Sequence, residues 1–130
     1  GDGPEVVNLK SQVTSYKLQD YVAFEPMTDD LVSYYKTCDL FLLTSNYEGY
    51  GRTLVEAAAA GAKIVSSDVG VAQKLLDPEA TFKVGDEKDL KQKLILALQN
   101  NLPAPHLPAL PTKEEYLKLY LDSFQICLKK

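Results

Sequence analysis

The 130 residues are enough for one domain with a real core, and 45% apolar and 25% charged residues are ordinary for a globular protein. A net charge of −4, with Arg52 the only arginine, speaks against a general nucleic-acid binder and leaves no arginine-rich patch. No apolar run approaches the roughly 20 residues of a membrane span, and no signal peptide is visible. Cys38 and Cys127 lie far apart, outside any metal-ligand spacing, and read as reduced, mostly buried thiols that fit a cytosolic compartment. Gly1 is not an initiator methionine, so the chain reads as a piece of a longer protein.

In chain order, residues 1–5 read as a turn entering a helix, because proline is tolerated in a first helical turn and Glu5 suits the dipole there. Val6, Leu9 and Val13 carry helical spacing, and that helix should end before Leu18. Residues 21–24, Tyr-Val-Ala-Phe, read as a short strand broken by Glu25, Pro26 and Met27. Thr28 or Asp29 is placed to cap the next helix, with Leu31, Tyr34 and Tyr35 on its inner face. Residues 40–43, an apolar run between polar flanks, read as a strand buried on both faces. A loop carrying Gly49 and Gly51 leads to an alanine- and leucine-rich helix over 54–60, ended by Gly61. A second buried strand over 63–67 exits through a loop at 68–70 into a short helix over 71–76, which Asp77 and Pro78 stop. Residues 81–84 read as a last short strand. Residues 87–98 read as an amphipathic helix with Leu90, Leu94, Ala97 and Leu98 on one face.

This pattern divides the chain into a domain over 1–99, a linker over 100–112 and a helix over 113–130. Pro103, Pro105, Pro108 and Pro111 deny the linker helix and favour an extended path. The closing helix, read over 113–129, carries Tyr116, Leu119, Tyr120, Phe124 and Cys127 along one stripe. The stripe is more apolar than a solvated tail needs, so it packs on this domain or on something outside it. Strands alternating with helices through short connections imply an α/β fold: a parallel sheet of about four strands, covered on both faces. Such a sheet binds ligands beyond the carboxyl ends of its strands, which here means the loops after Phe24, Leu43 and Ser67.

Residues 40–56 concentrate the chemistry. Strand, glycine loop and helix in that order present free amides and the positive end of a helix dipole, a seat for phosphate or a sugar hydroxyl. Glu48 and Glu56 frame that seat. On one continuous helix their spacing would set them about 80° apart. Gly49 and Gly51 make a loop the better reading, and a loop can fold Glu48 back so that both carboxylates face one cavity. A carboxylate accepts two hydroxyl hydrogen bonds well, so the pair suits a ribose and a hexose, with a pyrophosphate between them on the amides of residues 49–53.

Each of these residues also has a plainer reading. Thr53 and Glu56 fit a capping box that closes its own helix. Glu48 can be a solvated loop residue, Arg52 a surface cation rather than a phosphate ligand, and Asp68 the cap of the following helix. Tyr47 and Tyr50 read as packing or rim residues. His106, inside the proline linker, reads as solvated, with no base-orienting partner in sequence.

The run from Glu48 through Gly49, Tyr50, Gly51, Arg52, Thr53 and Leu54 to Glu56 and Ala57 resembles the Glu-x7-Glu signature of retaining GT-B glycosyltransferases, the large group-1 or family-4-like set. The flanks agree: residues 1–4, Tyr34 and Tyr35 with Asp39, Ser45 to Tyr47, and residues 61–65 with Ser67 to Gly70 match in type and order. The resemblance runs from Gly1 to about Leu98. It implies a Rossmann-like fold, the C-terminal half of a GT-B pair truncated at its N-terminal end, which binds a nucleotide-sugar donor.

By that analogy Glu56 holds the ribose hydroxyls, and Glu48, with backbone at Gly49, Tyr50 and Gly51, holds the donor sugar near the reacting carbon. The amides around Arg52, Thr53 and Leu54 meet the diphosphate, and the loop of Glu25, Pro26 and Met27 touches the base. The reaction implied is hexosyl transfer with retention, with no cofactor and no protein-bound metal. The partners implied are the donor and an acceptor-binding N-terminal domain of the same chain. A cytoplasmic setting follows, with peripheral membrane association of the parent and a polysaccharide pathway left open.

The chain departs from the pattern in three ways. The basic clamp that usually precedes such a domain is expected to lie outside this piece, Glu25 and Pro26 stand where glycine is usual, and Val69 or Val71 replaces a second glycine. The fragment alone is therefore expected to be inactive. The competing readings are a nucleotide-sugar epimerase on the same scaffold, which would lean on histidine and other carboxylates, and a non-catalytic binding module.

Overall fold

The computed structural model describes residues 3–107, 109 and 111–128. Gly1 and Asp2 of the expected opening turn, Pro108 of the linker and Lys129 of the closing helix lie outside the described residues. The chain divides into two compact units, one up to Tyr34 and one from Tyr35 onward.

The first unit holds α1 (Val6–Ser15) and the start of α2 (Leu31–Thr37). The α1 helix buries no residue, and Leu9 is exposed on the face where the spacing set it. Residues 21–24 do not form the expected strand. Residues 22–28 carry no regular structure, and the apolar side chains of Tyr21, Val22 and Phe24 are exposed. A strand needs a ladder partner for its amides and carbonyls, and among the described residues this segment has no paired strand. The cap of α2 is Asp30 rather than Thr28 or Asp29. Its Oδ1 accepts the Ser33 amide at 3.2 Å, while Thr28 Oγ1 accepts the Asp30 amide. Of the expected inner face, Tyr35 is buried, whereas Leu31 and Tyr34 are exposed.

The second unit is a parallel three-stranded sheet, β1 (Phe41–Leu43), β2 (Ile64–Ser67) and β3 (Thr81–Phe82), in the order β1-β2-β3. Phe41 pairs with Ile64, and Ser66 pairs with Thr81. The described sheet thus has three strands rather than four, and β3 stops at Phe82 instead of Val84. Between the strands run α3 (Arg52–Ala59), the one-turn α4 (Ala72–Leu75) and a 3-10 turn at Pro78–Ala80. Then follow α5 (Glu87–Leu98) and α6 (Lys113–Leu128).

Successive strand residues point to opposite faces, and β2 shows the consequence. Ile64 packs with Leu54, Ala57 and Ala58 of α3 and Ala72 and Leu75 of α4 on one face. Val65 packs with Phe82 and Ala97 of α5 on the other. All four β2 residues are buried, as expected for the central strand of a sheet covered on both sides. The β1 strand is the exception. Leu42 is 40% exposed, because α5 lies over β2 and β3 and the face of β1 that carries Leu42 stays open.

Local signals fix the helix ends. At Gly61 (φ 84°), the Ala62 amide reaches Ala57 O and the Gly61 amide reaches Ala58 O, the paired bonds of a Schellman stop. Asp86 caps α5 by accepting the amides of Lys88 and Asp89. The inner face of α5 is Leu90, Leu94 and Ala97, while Leu98 is exposed. Thr112 and Glu115 form a reciprocal capping box at the start of α6, at 3.2 and 2.7 Å. The apolar stripe of α6 is exposed throughout. Its Tyr116 and Tyr120 rings stack at 6.4 Å, and Tyr120 meets Phe124 edge to face at 5.0 Å. Cys127, expected to be buried, is exposed with that stripe, and Cys38 is half-buried.

Candidate functional site

Because β1, β2 and β3 are parallel, the loops at 44–51, 68–71 and 83–86 emerge at one edge of the sheet. Two contacts tie the first loop to the second. The Ser67 hydroxyl, at the carboxyl end of β2, donates to the Ser45 carbonyl at 2.7 Å. The Val71 amide donates to the Tyr50 carbonyl at 2.9 Å. The second contact requires glycine at position 70: its φ is +55°, and a Cβ there would stand 2.4 Å from Tyr50 O.

Glu48 is half-buried on the first loop, and its Oε1 accepts the Ser45 hydroxyl at 2.8 Å. It is therefore not a freely solvated loop residue. Glu56 lies in α3, also half-buried. Its Oε2 accepts the Tyr35 hydroxyl at 3.4 Å, and its Oε1 accepts Arg52 Nη2 at 3.2 Å. Burial, and next the negative charge of Glu56, push the ionisation of Tyr35 above its ordinary value of 10.0. The Arg52 side chain is 84% exposed, so its ion pair with Glu56 is a solvated one.

The capping-box reading of Thr53 and Glu56 does not hold. Gly51, in the left-handed region at φ 91°, is the residue before α3, and no side chain caps the helix. The helix thus begins at Arg52, two residues earlier than the composition suggested. Thr53 sits inside it, and the Glu56 carboxylate is left for other partners. The amides of Leu54 and Val55 both turn back to Gly51 O, at 3.0 and 3.4 Å. The Leu54 side chain is fully buried in the core, so this residue anchors the helix and its amide is already engaged. Among the described residues, the amides of Arg52 and Thr53 have no backbone partner, the usual condition of a first helical turn. Gly49 and Tyr50 are exposed on the loop, with the Tyr50 ring 61% exposed, and Tyr47 is exposed beside them.

The structure therefore brings Glu48, Gly49, Tyr50, Gly51, Arg52, Thr53 and Glu56 together on one loop and helix start. Pro26 and Met27 belong to the first unit, on exposed irregular backbone. The cavity beside the loop, ≈ 380 Å³, is lined by Tyr50, Val55, Val71, Lys74, Leu75, His106 and Leu107. It contains neither carboxylate, and no described cavity is lined by both. Asp68 does not cap α4; its Oδ2 accepts Gln73 Nε2 at 2.6 Å. His106 is not simply solvated: its Nε2 lies 3.0 Å from Asp77 Oδ1, and its amide donates to Leu75 O at 2.7 Å, pinning the linker to the end of α4.

Sequence reasoning passed over Tyr35, Ser45 and Ser67 as partners of the site. Two consecutive serines ending an otherwise apolar strand were the visible signal for Ser67. Among the described residues no group of three or more His, Cys, Asp or Glu side chains could hold a metal. No helix among them is long and apolar enough to cross a membrane.

Fold and site together define an α/β domain with a carboxylate-flanked glycine loop at the carboxyl edge of a parallel sheet. Residues 1–110 match the family described as glycosyl transferases group 1, and the chain belongs to that family. The O-antigen biosynthesis glycosyltransferase WclY of Escherichia coli is 31% identical over 103 residues, covering 78% of this chain and 29% of that protein. The N-acetyl-alpha-D-glucosaminyl L-malate synthase of Bacillus anthracis is 29% identical over 103 residues, covering 77% of this chain and 27% of that protein. Among solved structures, sucrose-phosphate synthase from Thermosynechococcus elongatus aligns with a TM-score of 0.69 at 28% identity, over 78% of this chain and 27% of its own. The fold is of the GT-B type that the resemblance implied. The chain spans under a third of the length of these relatives.

Proposed function

We propose that this chain is the donor-binding part of a retaining glycosyltransferase that moves a hexosyl group from a nucleotide-diphosphate sugar to an acceptor. One observation carries the reading. One half-buried carboxylate, Glu48, stands on the glycine loop and a second, Glu56, stands a turn into α3, and between them the helix start offers the amides of Arg52 and Thr53 without backbone partners. Anions favour such helix starts. In this reading Glu56 receives the ribose hydroxyls, Glu48 receives the transferred sugar, and the Arg52 and Thr53 amides face the diphosphate. Rate then comes from positioning the donor and from stabilising the departing diphosphate as charge develops on it. The family and the named transferases among its relatives support transfer chemistry.

The test uses the full protein that carries this chain. Its thermal shift is measured with UDP-glucose, UDP-N-acetylglucosamine and GDP-mannose, followed by turnover of the donor that binds. Glu48→Ala should abolish donor hydrolysis and transfer. Unchanged turnover in that variant would remove Glu48 from the site, and no shift with any donor would remove the reading itself.

A further inference from the structure

The donor site as read above uses the carboxylate of Glu48 but does not say what aims it. Glu48 sits on a loop rather than in a helix or strand, between exposed Tyr47 and exposed Gly49. A loop carboxylate with free torsions would lose rotamer entropy each time it bound a sugar. The structure contains a device that removes this freedom. The Ser45 hydroxyl donates to Glu48 Oε1 at 2.8 Å, three residues back along the same loop. The Ser45 carbonyl in turn accepts the hydroxyl of Ser67 at 2.7 Å.

Ser67 is only 1% exposed, at the carboxyl end of the central strand. Its own carbonyl is held twice, by the Ser66 hydroxyl at 2.7 Å and by the Val69 amide at 2.8 Å. The line therefore runs from the rigid middle of the sheet, through two serines, to one oxygen of the loop carboxylate. Its far end is selective: Oε1 is taken, and Oε2 has no partner among the described residues. An ionised carboxylate only accepts hydrogen bonds. Fixing one oxygen therefore presents the other, with its lone pairs, to hydroxyl donors.

We infer that Ser45 and Ser67 are positioning residues for Glu48, a two-serine tether that holds the carboxylate ready for the hydroxyls of the transferred sugar. The inference rests on the donor-site reading. It predicts that the tether matters to the sugar and not to the nucleotide. A nucleoside diphosphate lacks the transferred sugar and gains nothing from an aimed Glu48.

The experiment measures binding to the full protein of two matched probe pairs, UDP with UDP-glucose and GDP with GDP-mannose. The proteins are wild type, Ser45→Ala, Ser45→Thr, Ser67→Ala and Glu48→Gln, with a thermal unfolding curve for each. Ser45→Ala should weaken the nucleotide sugar by about tenfold, the scale of one lost hydrogen bond to a charged group, and leave the nucleoside diphosphate unchanged. Ser45→Thr, which keeps a hydroxyl, should restore most of the loss. Ser67→Ala should reproduce it in weaker form. In turnover, Ser45→Ala should raise KM for the donor more than Ser45→Thr does at matched folding.

If Glu48→Gln loses the sugar preference while Ser45→Ala keeps it, the tether is overturned and the donor site stands. If Ser45→Ala weakens both members of a pair equally, or Ser45→Thr is no better than Ser45→Ala, the serines are merely structural and the inference fails. If wild type binds no member of either pair, or Glu48→Gln leaves the sugar preference intact, the donor-site reading falls and takes the tether with it.

Discussion

The lock between the two loops at the sheet edge rests on Gly70, and Gly70→Ala tests it. A Cβ at that position would stand 2.4 Å from the Tyr50 carbonyl oxygen and 2.8 Å from its carbon, both backbone atoms that cannot rotate away. Two costs add. Holding alanine at φ +55° costs roughly 1–2 kcal/mol in the left-handed region. Moving the Tyr50 carbonyl aside breaks the 2.9 Å bond from the Val71 amide, worth about 1 kcal/mol.

The sum is about 2–3 kcal/mol. Gly85→Ala serves as the control. Gly85 also has a positive φ, of 79°, but a Cβ there would meet nothing within 4 Å, so only the backbone cost should appear. Urea unfolding with unchanged slope should therefore show Gly70→Ala losing about 1 kcal/mol more than Gly85→Ala. Equal losses in the two variants would show that the close approach of the loops contributes nothing. Under the proposed function, the Gly70 variant should also bind donor more weakly, since displacing Tyr50 moves the loop that carries Glu48.

Two further outcomes follow from the same geometry. Tyr35→Phe keeps the edge-on contact with the Phe41 ring at 5.3 Å and removes only the hydroxyl on Glu56, so it should cost about 0.5–1 kcal/mol. Since the folded state raises the ionisation of Tyr35 above 10.0, its contribution is complete below that pH and is lost as pH climbs through the raised value. The fall in stability above about pH 10 should accordingly be shallower in Tyr35→Phe, as a stability-against-pH series in alkaline buffer will read. In the linker, His106→Pro removes the amide that donates to Leu75 O at 2.7 Å. His106→Ala removes only the half-solvated ring contact with Asp77. Hydrogen exchange in residues 100–107 should rise clearly in the proline variant and little in the alanine one; equal rises would move the anchor from the backbone to the ring.

The alternation of buried strands with helices was readable from hydrophobic runs and punctuation. The β2 run, the Gly61 stop and the whole of α5 fall close to where the pattern put them. These are local matters, decided by side-chain period, propensity and the backbone freedom of glycine. Residues 21–24 show where that logic ends. Apolar β-formers specify a strand only if a neighbour supplies the ladder, and sequence does not say which neighbours exist. The exposed faces of Leu42 and Leu98 fail for the same reason, since burial depends on how far α5 reaches across the sheet.

The site divides the same way. Thr53 with Glu56 and Thr112 with Glu115 carry the same spacing and the same residue types. The second pair closes its helix as a capping box, because Thr112 is the residue before α6. The first does not, because Gly51 adopts a left-handed turn, packed close to Leu54 and Val71, and starts α3 two residues too soon for Thr53 to cap it. That two glutamates bracket two glycines between a strand and a helix is legible in residues 40–56 alone. The fold turns Glu56 to Tyr35 and Arg52, and it sets Glu48 against the hydroxyl of Ser45, whose carbonyl is held in turn by a serine of the central strand. The bond from Ser67 to Ser45 joins residues 22 positions apart, and the pairing of β1 beside β2 brings them within reach.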